Sequence, residues 1–258
     1  MLGLHRARGA PSPSTAQMTW HGGSILTSTT VQAVFWGAKW STASFVADKI
    51  TGLDSFYAGL GSSTYAGTNT EYDGTNGQVG TGVTSVGHVV DLSTAPRRAP
   101  RTSAILAEVC KTITSPVANG YYPVYTDAPR GGAGYCAWHS YGSCNGVAVQ
   151  FAFFFDLDGD GGCDPQDGSG LHSQGLAALA NVSGHEYSEA VTDPRNGGWW
   201  DSSGSENADK CAWRFGVPLV TLKNGSQWKI QGNWSNAAYA AGTGYANRSG
   251  QKGCLSGG

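Results

Sequence analysis

The sequence predicts an α+β, or mixed α/β, single domain in which a central mixed sheet packs around one buried helix. Three stretches predict it. Val147, Val149, Phe151, Phe153 and Phe155 alternate with Ala148, Ala152 and Phe154, so both faces of this strand are apolar and it belongs inside a sheet. Upstream, strand-like and helix-like stretches alternate, as they do where crossover helices join strands. Downstream, a helix starting near Leu171 is apolar almost all round, with Leu176, Leu179, Ala180, Tyr187 and Ala190 on one face and Ala178 and Val182 on the other. A helix of that kind is buried.

Taken in order, residues 1–18 hold basic and proline residues without an apolar core and are expected to be a disordered N-terminal segment. A secretory leader is expected to have been removed or to lie outside the sequence. Residues 19–258 then form one domain, since no stretch reads as a linker. Thr30–Gly37 reads as a buried strand. A helix follows over Ser41–Leu60, with Val46, Ile50, Leu53, Tyr57 and Leu60 in one stripe and Gly61 as its stop. Gly61–Gly82 is rich in Gly, Thr, Ser and Asn and reads as loop. A strand at Gly87–Leu92 and a helix at Thr102–Thr114 come next, the helix turning Leu106, Val109, Cys110 and Ile113 inward; Tyr121–Thr126 is a further strand. After the central strand and the buried helix come a loop with Trp199 and Trp200, a short polar helix over Ser205–Cys211, and strands at Gly216–Leu222 and Gln227–Gln231.

A net charge of −2 with 13% charged residues, and only the short Arg97, Arg98, Arg101 cluster, gives no footprint for nucleic acid. No apolar run reaches membrane-spanning length. The 6 cysteines form no Cys-x-x-Cys pair, which argues against a thiolate zinc site and for disulfides in an oxidising, extracellular compartment. Cys211 with Cys254 and Cys136 with Cys144 are the expected pairs.

The chemistry gathers on the buried helix, in His185-Glu186-Tyr187-Ser188-Glu189 followed by Asp193-Pro194. Ser173 caps this helix and Pro194 forces it to stop. His185 and Glu189 are four apart and share a face, with Glu186 about 100° further round. This is the His-Glu-x-x-His zinc pattern with its second histidine replaced by a carboxylate. In that pattern the histidines hold zinc and the glutamate takes a proton from water. Carboxylate oxygen is also a zinc ligand, so His185 and Glu189 are read as ligands and Glu186 as the base. The bland alternative is a set of buried salt bridges and hydrogen bonds. A third ligand is expected from Glu206 or Asp209, which share a face of the short polar helix; Glu206 is preferred, with Asp209 in support or as the alternative. Tyr187, His172 and His139 could assist at an oxyanion, but nothing in the sequence places them there.

A second ion is read from the loop after the central strand. Asp156, Asp158 and Asp160 stand at positions 1, 3 and 5 of a calcium-binding loop, Gly161 is the turn glycine, and Gly162, Asp164 and Asp167 stand at positions 7, 9 and 12. The expectation is a structural calcium ion. The alternative is an acidic, glycine-rich surface turn.

Two resemblances arise from these residues. His185-Glu186-x-x-Glu189-Ala190-Val191-Thr192-Asp193-Pro194, the tryptophan-rich loop after it and Glu206-x-x-Asp209-x-Cys211 resemble the bacterial and fungal relatives of the plant exordium (phosphate-induced) proteins. Thr19-Trp20-His21-Gly22-Gly23 and Tyr135-Cys136-Ala137-Trp138-His139-Ser140 match that family as well, so the likeness runs from about Thr19 to Cys254. It implies a secreted protein facing a cell wall or matrix. The His-Glu-x-x-Glu helix also resembles the zincin metallopeptidases of the thermolysin type, which implies a zincin-like fold and a third ligand on a later helix.

The leading expectation is a secreted zinc-dependent endopeptidase acting on protein or peptide as a monomer, possessing structural calcium and free of nucleic-acid and membrane partners. Two rivals remain. One is a non-enzymatic cell-wall or glycan-binding protein that stacks sugars on Trp199, Trp200, Trp228 and Trp234. The other is a glycoside hydrolase that pairs Glu186 or Glu189 with Glu206.

Overall fold

The computed structural model describes residues 5–8, as backbone, and 17–257. Its sheet is made of β1 (His5–Arg8), β2 (Thr29–Trp36), β3 (Val83–Asp91), β4 (Gly120–Pro129), β5 (Tyr135–Cys144) and β6 (Val147–Asp156). They lie in the order β1-β5-β6-β4-β2-β3. β2, β3, β4 and β6 are parallel, β5 runs antiparallel to β6, and β1 runs antiparallel to β5. The apolar run predicted to be central is β6, an inner strand. The sheet is mixed, as expected.

The principal helices are α1 (Lys49–Leu60), α2 (Thr102–Thr112), α3 (Gln174–Thr192) and α4 (Asn207–Lys210). Successive side chains of a strand face opposite ways, so β5 separates the two layers. Gly142, on the same face as Trp138, lies under Leu106 of α2, whereas His139 on the other face reaches residues of α3 and the α4 cap. α2 therefore covers one side of the sheet, and α3 the other, with α1 packed against it. A Cβ on Gly52 would collide with Leu176, so glycine there lets α1 and α3 close together. Every residue of α3 from Gly175 to Thr192 is buried. Each of Leu176, Leu179, Val182, Tyr187 and Val191 buries enough apolar surface to contribute about 1.5–3 kcal/mol.

Several expectations need correction. The helix predicted over Ser41–Leu60 is broken: Ala38–Ser41 is a 3-10 turn, Ala43–Val46 a single helical turn, and α1 starts at Lys49. Ala47 at φ 44° makes the break, which frees Asp48 to accept from Ser173 N and Oγ at the start of α3. On α2, Ile105 rather than Leu106 is fully buried, beside Val109. The strands predicted at Gly216–Leu222 and Gln227–Gln231 shrink to a ladder of Val220–Thr221 with Gln227–Trp228. Within the N-terminal segment expected to be disordered, His5–Arg8 forms β1 on β5; residues 1–4 and 9–16 lie outside the described residues.

Three disulfides close the structure: Cys110–Cys144, Cys136–Cys163 and Cys211–Cys254. The last matches expectation. The pairing of Cys136 with Cys144 does not, because both lie on β5, eight residues and so about 26 Å apart along an extended strand. A disulfide needs Cα atoms within about 7 Å. Cys144 instead ties β5 to α2, and Cys136 ties it to the loop after β6. These bonds fit an oxidising compartment. Among the described residues no helix is long and apolar enough to cross a membrane.

Candidate metal centre

The site forms where α3, β5 and α4 meet. Ser173 caps α3 by accepting from Leu176 N, and the helix ends at Thr192, with Asp193 turning the chain by accepting from Gly197 N and Gly198 N. That turn carries Trp199–Trp200, which pair with Thr19–Trp20. The chain then returns to α4, where Glu206 and Asp209 form a capping box. Asn207 fixes α4 to α3, accepting from Thr192 Oγ1 and donating to Asn69, whose amide reaches Ser188. Cys211–Cys254 anchors the helix at its other end.

His185, Glu186, Glu189, Glu206 and His139 are all at most 2% exposed. His185 Nε2 lies 2.9 Å from Glu189 Oε1 and 3.6 Å from Asp209 Oδ1. Tetrahedral zinc ligands at 2.0–2.2 Å from the ion stand about 3.3 Å from one another, so both distances are those of donors sharing an ion. The 2.9 Å approach is not a hydrogen bond in direction, since His185 Nε2 has no hydrogen-bond partner. Glu189 Oε1 also accepts from Asp209 N at 3.0 Å. Asp209, not Glu206, therefore stands as the third member beside His185 and Glu189. Glu206 turns to the other side, 3.1 Å from His139 Nε2.

Glu186 is fully buried and neither of its carboxylate oxygens has a hydrogen-bond partner. Leaving such a group uncompensated costs several kcal/mol. Burial pushes its pKa well above the ordinary carboxylate value, opposed by His185 and reinforced by Glu189, Asp209 and Glu206. Asp209 is also pushed up, by burial and then by Glu189. Burial alone would lower the His185 pKa, but Glu189 outweighs it, with Glu186 and Asp209 adding, and the ring is pushed up to about 10. Among the described residues no lysine or arginine makes an ion pair with Glu186, Glu189 or Asp209. The cluster attracts positive charge, as protons or as a metal ion.

The donor set fits a divalent metal with one adjustment. Gln231 accepts from Trp213 N through Oε1, donates to Ala208 O through Nε2, and places that same nitrogen 2.9 Å from His185 Nδ1. A histidine that ligates through Nε2 carries its proton on Nδ1. For His185 to ligate through Nε2 the Gln231 amide must therefore turn over and offer its oxygen, which gives up its bonds with Trp213 N and Ala208 O.

His139 is the residue that the reading of the motif could not place. It comes from β5, opposite Ala152 of β6, and also lies 3.6 Å from Glu189 Oε2. The signal that would have found it is Asn145-Gly146, both at positive φ (53° and 81°), the two-residue turn that folds β5 onto β6. Tyr187 donates instead to Thr29, and His172 stacks on Trp228.

Among the described residues, the carboxylates of the predicted calcium loop do not form a group of three with ligand atoms within 4.8 Å of one another. Asp158 pairs with the buried Lys49 at 2.5 Å, and Asp156 lies 4.0 Å from Lys49 and 3.9 Å from Lys39. Arg130 clamps Asp160 at 2.7 and 2.9 Å, lying where a Cβ on Gly162 would point. Asp164 and Asp167 accept from the backbone two residues ahead, at Gln166 and Ser169. Lys39, Lys49 and Arg130 thus lie against three of the carboxylates that the spacing assigned to calcium. Of the tryptophans proposed as a sugar platform, Trp228 and Trp234 are buried, whereas Trp199 and Trp200 are half-buried.

Compared with protein-family models, curated proteins and solved structures, the chain gives no match.

Proposed function

We propose that the chain is a secreted, zinc-dependent endopeptidase. The observation that carries the reading is Glu186, buried and without a hydrogen-bond partner beside the His185, Glu189 and Asp209 donor triad. An imidazole with two carboxylates is a zinc donor set of the open, catalytic kind, with room for a further ligand. His185, Glu189 and Asp209 would hold the zinc, which when bound would polarise a peptide carbonyl and acidify water, somewhat less than under two histidines because two carboxylates offset its charge.

The remaining work falls to the chain. Glu186 takes a proton from the water that attacks the carbonyl carbon, and returns it to the amine as the C–N bond breaks. β5 supports the peptide class of substrate. Its outer edge accepts an extended segment, β1, in antiparallel register with His5 opposite His139. A peptide binding as an added strand would use the same backbone groups.

The test is Glu186→Gln with a peptide library and zinc analysis. The variant should still hold zinc and lose at least about a hundredfold in cleavage rate. Undiminished cleavage removes Glu186 from the reaction, and a zinc-free wild type removes the peptidase reading.

A further inference from the structure

Glu189 belongs to two donor sets at once. Ligand atoms of His185, Glu189 and Asp209 lie within 4.8 Å of one another, and so do those of His139, Glu186 and Glu189. The two oxygens of Glu189 face different imidazoles: Oε1 is 2.9 Å from His185 Nε2 and Oε2 is 3.6 Å from His139 Nε2. A carboxylate facing both ways is the bridge found in two-metal sites, whose ions sit about 3.5–4 Å apart.

We propose that this centre is built for two divalent cations bridged by Glu189, the first held by His185 and Asp209 and the second by His139 and Glu186. Three observations carry the second position. Glu186 is 0% exposed and has no hydrogen-bond partner on either oxygen, although it lies within the His139 and Glu189 set. His139 is 2% exposed and turns Nε2 toward Glu189 and Glu206, so the ring edge faces acceptors rather than apolar packing. Glu186, Glu189 and Asp209 bring three carboxylates that meet no lysine or arginine among the described residues, so a single dication leaves one buried carboxylate charge uncompensated. One imidazole with two carboxylates favours a first-row ion such as zinc, manganese or iron(II) over calcium or magnesium.

The inference goes beyond the single-zinc reading and changes one role in it. As a ligand to the second cation Glu186 cannot accept a proton, so the hydrolytic form is the one with only the first position filled.

The test counts metal. The full chain is stripped with chelator, titrated with zinc chloride, passed through gel filtration and analysed for zinc per chain, with near-ultraviolet circular dichroism as a check on folding. Two zinc per chain in the wild type, falling to one in His139→Ala and one in Glu186→Gln, is the expected result. Loading with cobalt(II) should give an electron paramagnetic resonance signal per cobalt that is weaker in the wild type than in His139→Ala, because the bridge couples the ions. One zinc in the wild type, unchanged in His139→Ala, overturns the second site and leaves the single-zinc reading standing. Two zinc in all three proteins puts the second ion elsewhere and also overturns it. No zinc in any protein overturns both. If His139→Ala does not fold, Glu186→Gln decides alone.

Discussion

At the scale of single residues, the centre depends on atoms that do not come from the motif. His185, Glu186 and Glu189 were legible because their spacing on a helix fixes which share a face. Their partners were less so. Glu206 and Asp209 are three residues apart and chemically similar, and only the capping box on α4 decides between them by placing Asp209 beside His185 and Glu206 beside His139. Gln231 carried no signal in the sequence, because its importance comes from facing His185 Nδ1 across 46 residues of chain. It is also the sharpest place to test the metal reading. Gln231→Glu offers an acceptor to an Nδ1 proton, the tautomer that zinc ligation through Nε2 requires, and outer-sphere partners of this kind change metal affinity by about 10–100-fold. Zinc titration of the variant should therefore show affinity raised by about tenfold. Weaker or unchanged binding would mean that His185 does not ligate through Nε2.

At the scale of elements, strands and helices with strong periodicity were readable, and errors arose where distant residues intervened. β6 and α3 match their sequence patterns closely. The calcium loop had the right spacing, yet Lys49 from α1 and Arg130 from the end of β4 supply its charge, and no local pattern of acidic residues reveals a lysine more than a hundred positions away. On α2 a similar surprise is chemical. Glu108 is buried with Asp91 of β3 beside it, and Lys111 bridges them. Burial, then the Asp91 carboxylate, pushes Glu108 up to about 7, while Asp91 is held below the ordinary range by the neighbouring Glu108 and by Lys111. Because the folded pKa of Glu108 exceeds its unfolded value of 4.5, its contribution to stability is full below about pH 4.5 and is lost as pH rises through about 7. Asp91 acts in the opposite sense and only at lower pH. Urea midpoints at pH 5 and pH 8 should therefore differ more in the wild type than in Glu108→Gln, whose amide keeps the donor at both values. An equal difference in the two proteins would show that Glu108 is already ionised at pH 5.

At the scale of the whole molecule, the question is how a substrate reaches side chains that are almost completely buried. α3 closes the centre on one side, α4 on another, and the sheet forms the floor. β5 carries His139 into the centre, and its outer edge is paired with β1 through His5–His139, Arg6–Trp138 and Arg8–Tyr135. An unpaired edge strand exposes a row of N–H and C=O groups that pairs readily with an extended chain. His5–Arg8 therefore hold the position that a peptide substrate would need, with the backbone of His5 directly opposite His139, which lies beside Glu189. Two strands cannot occupy one edge, so β1 must leave before a peptide can bind. It is held by a short ladder that shifts register between Arg6 and Arg8, which makes it cheaper to displace than an inner strand such as β6, paired on both sides. Deleting residues 1–8 should raise kcat/KM for a peptide substrate, chiefly through a lower KM, because competition for the edge is removed while the donor triad on α3 and α4 is untouched. Adding the excised octapeptide in trans should restore part of the inhibition and act competitively. A truncated protein with unchanged KM would show that β1 does not lie on the route of entry, and that peptides reach Glu186 along another border of the centre.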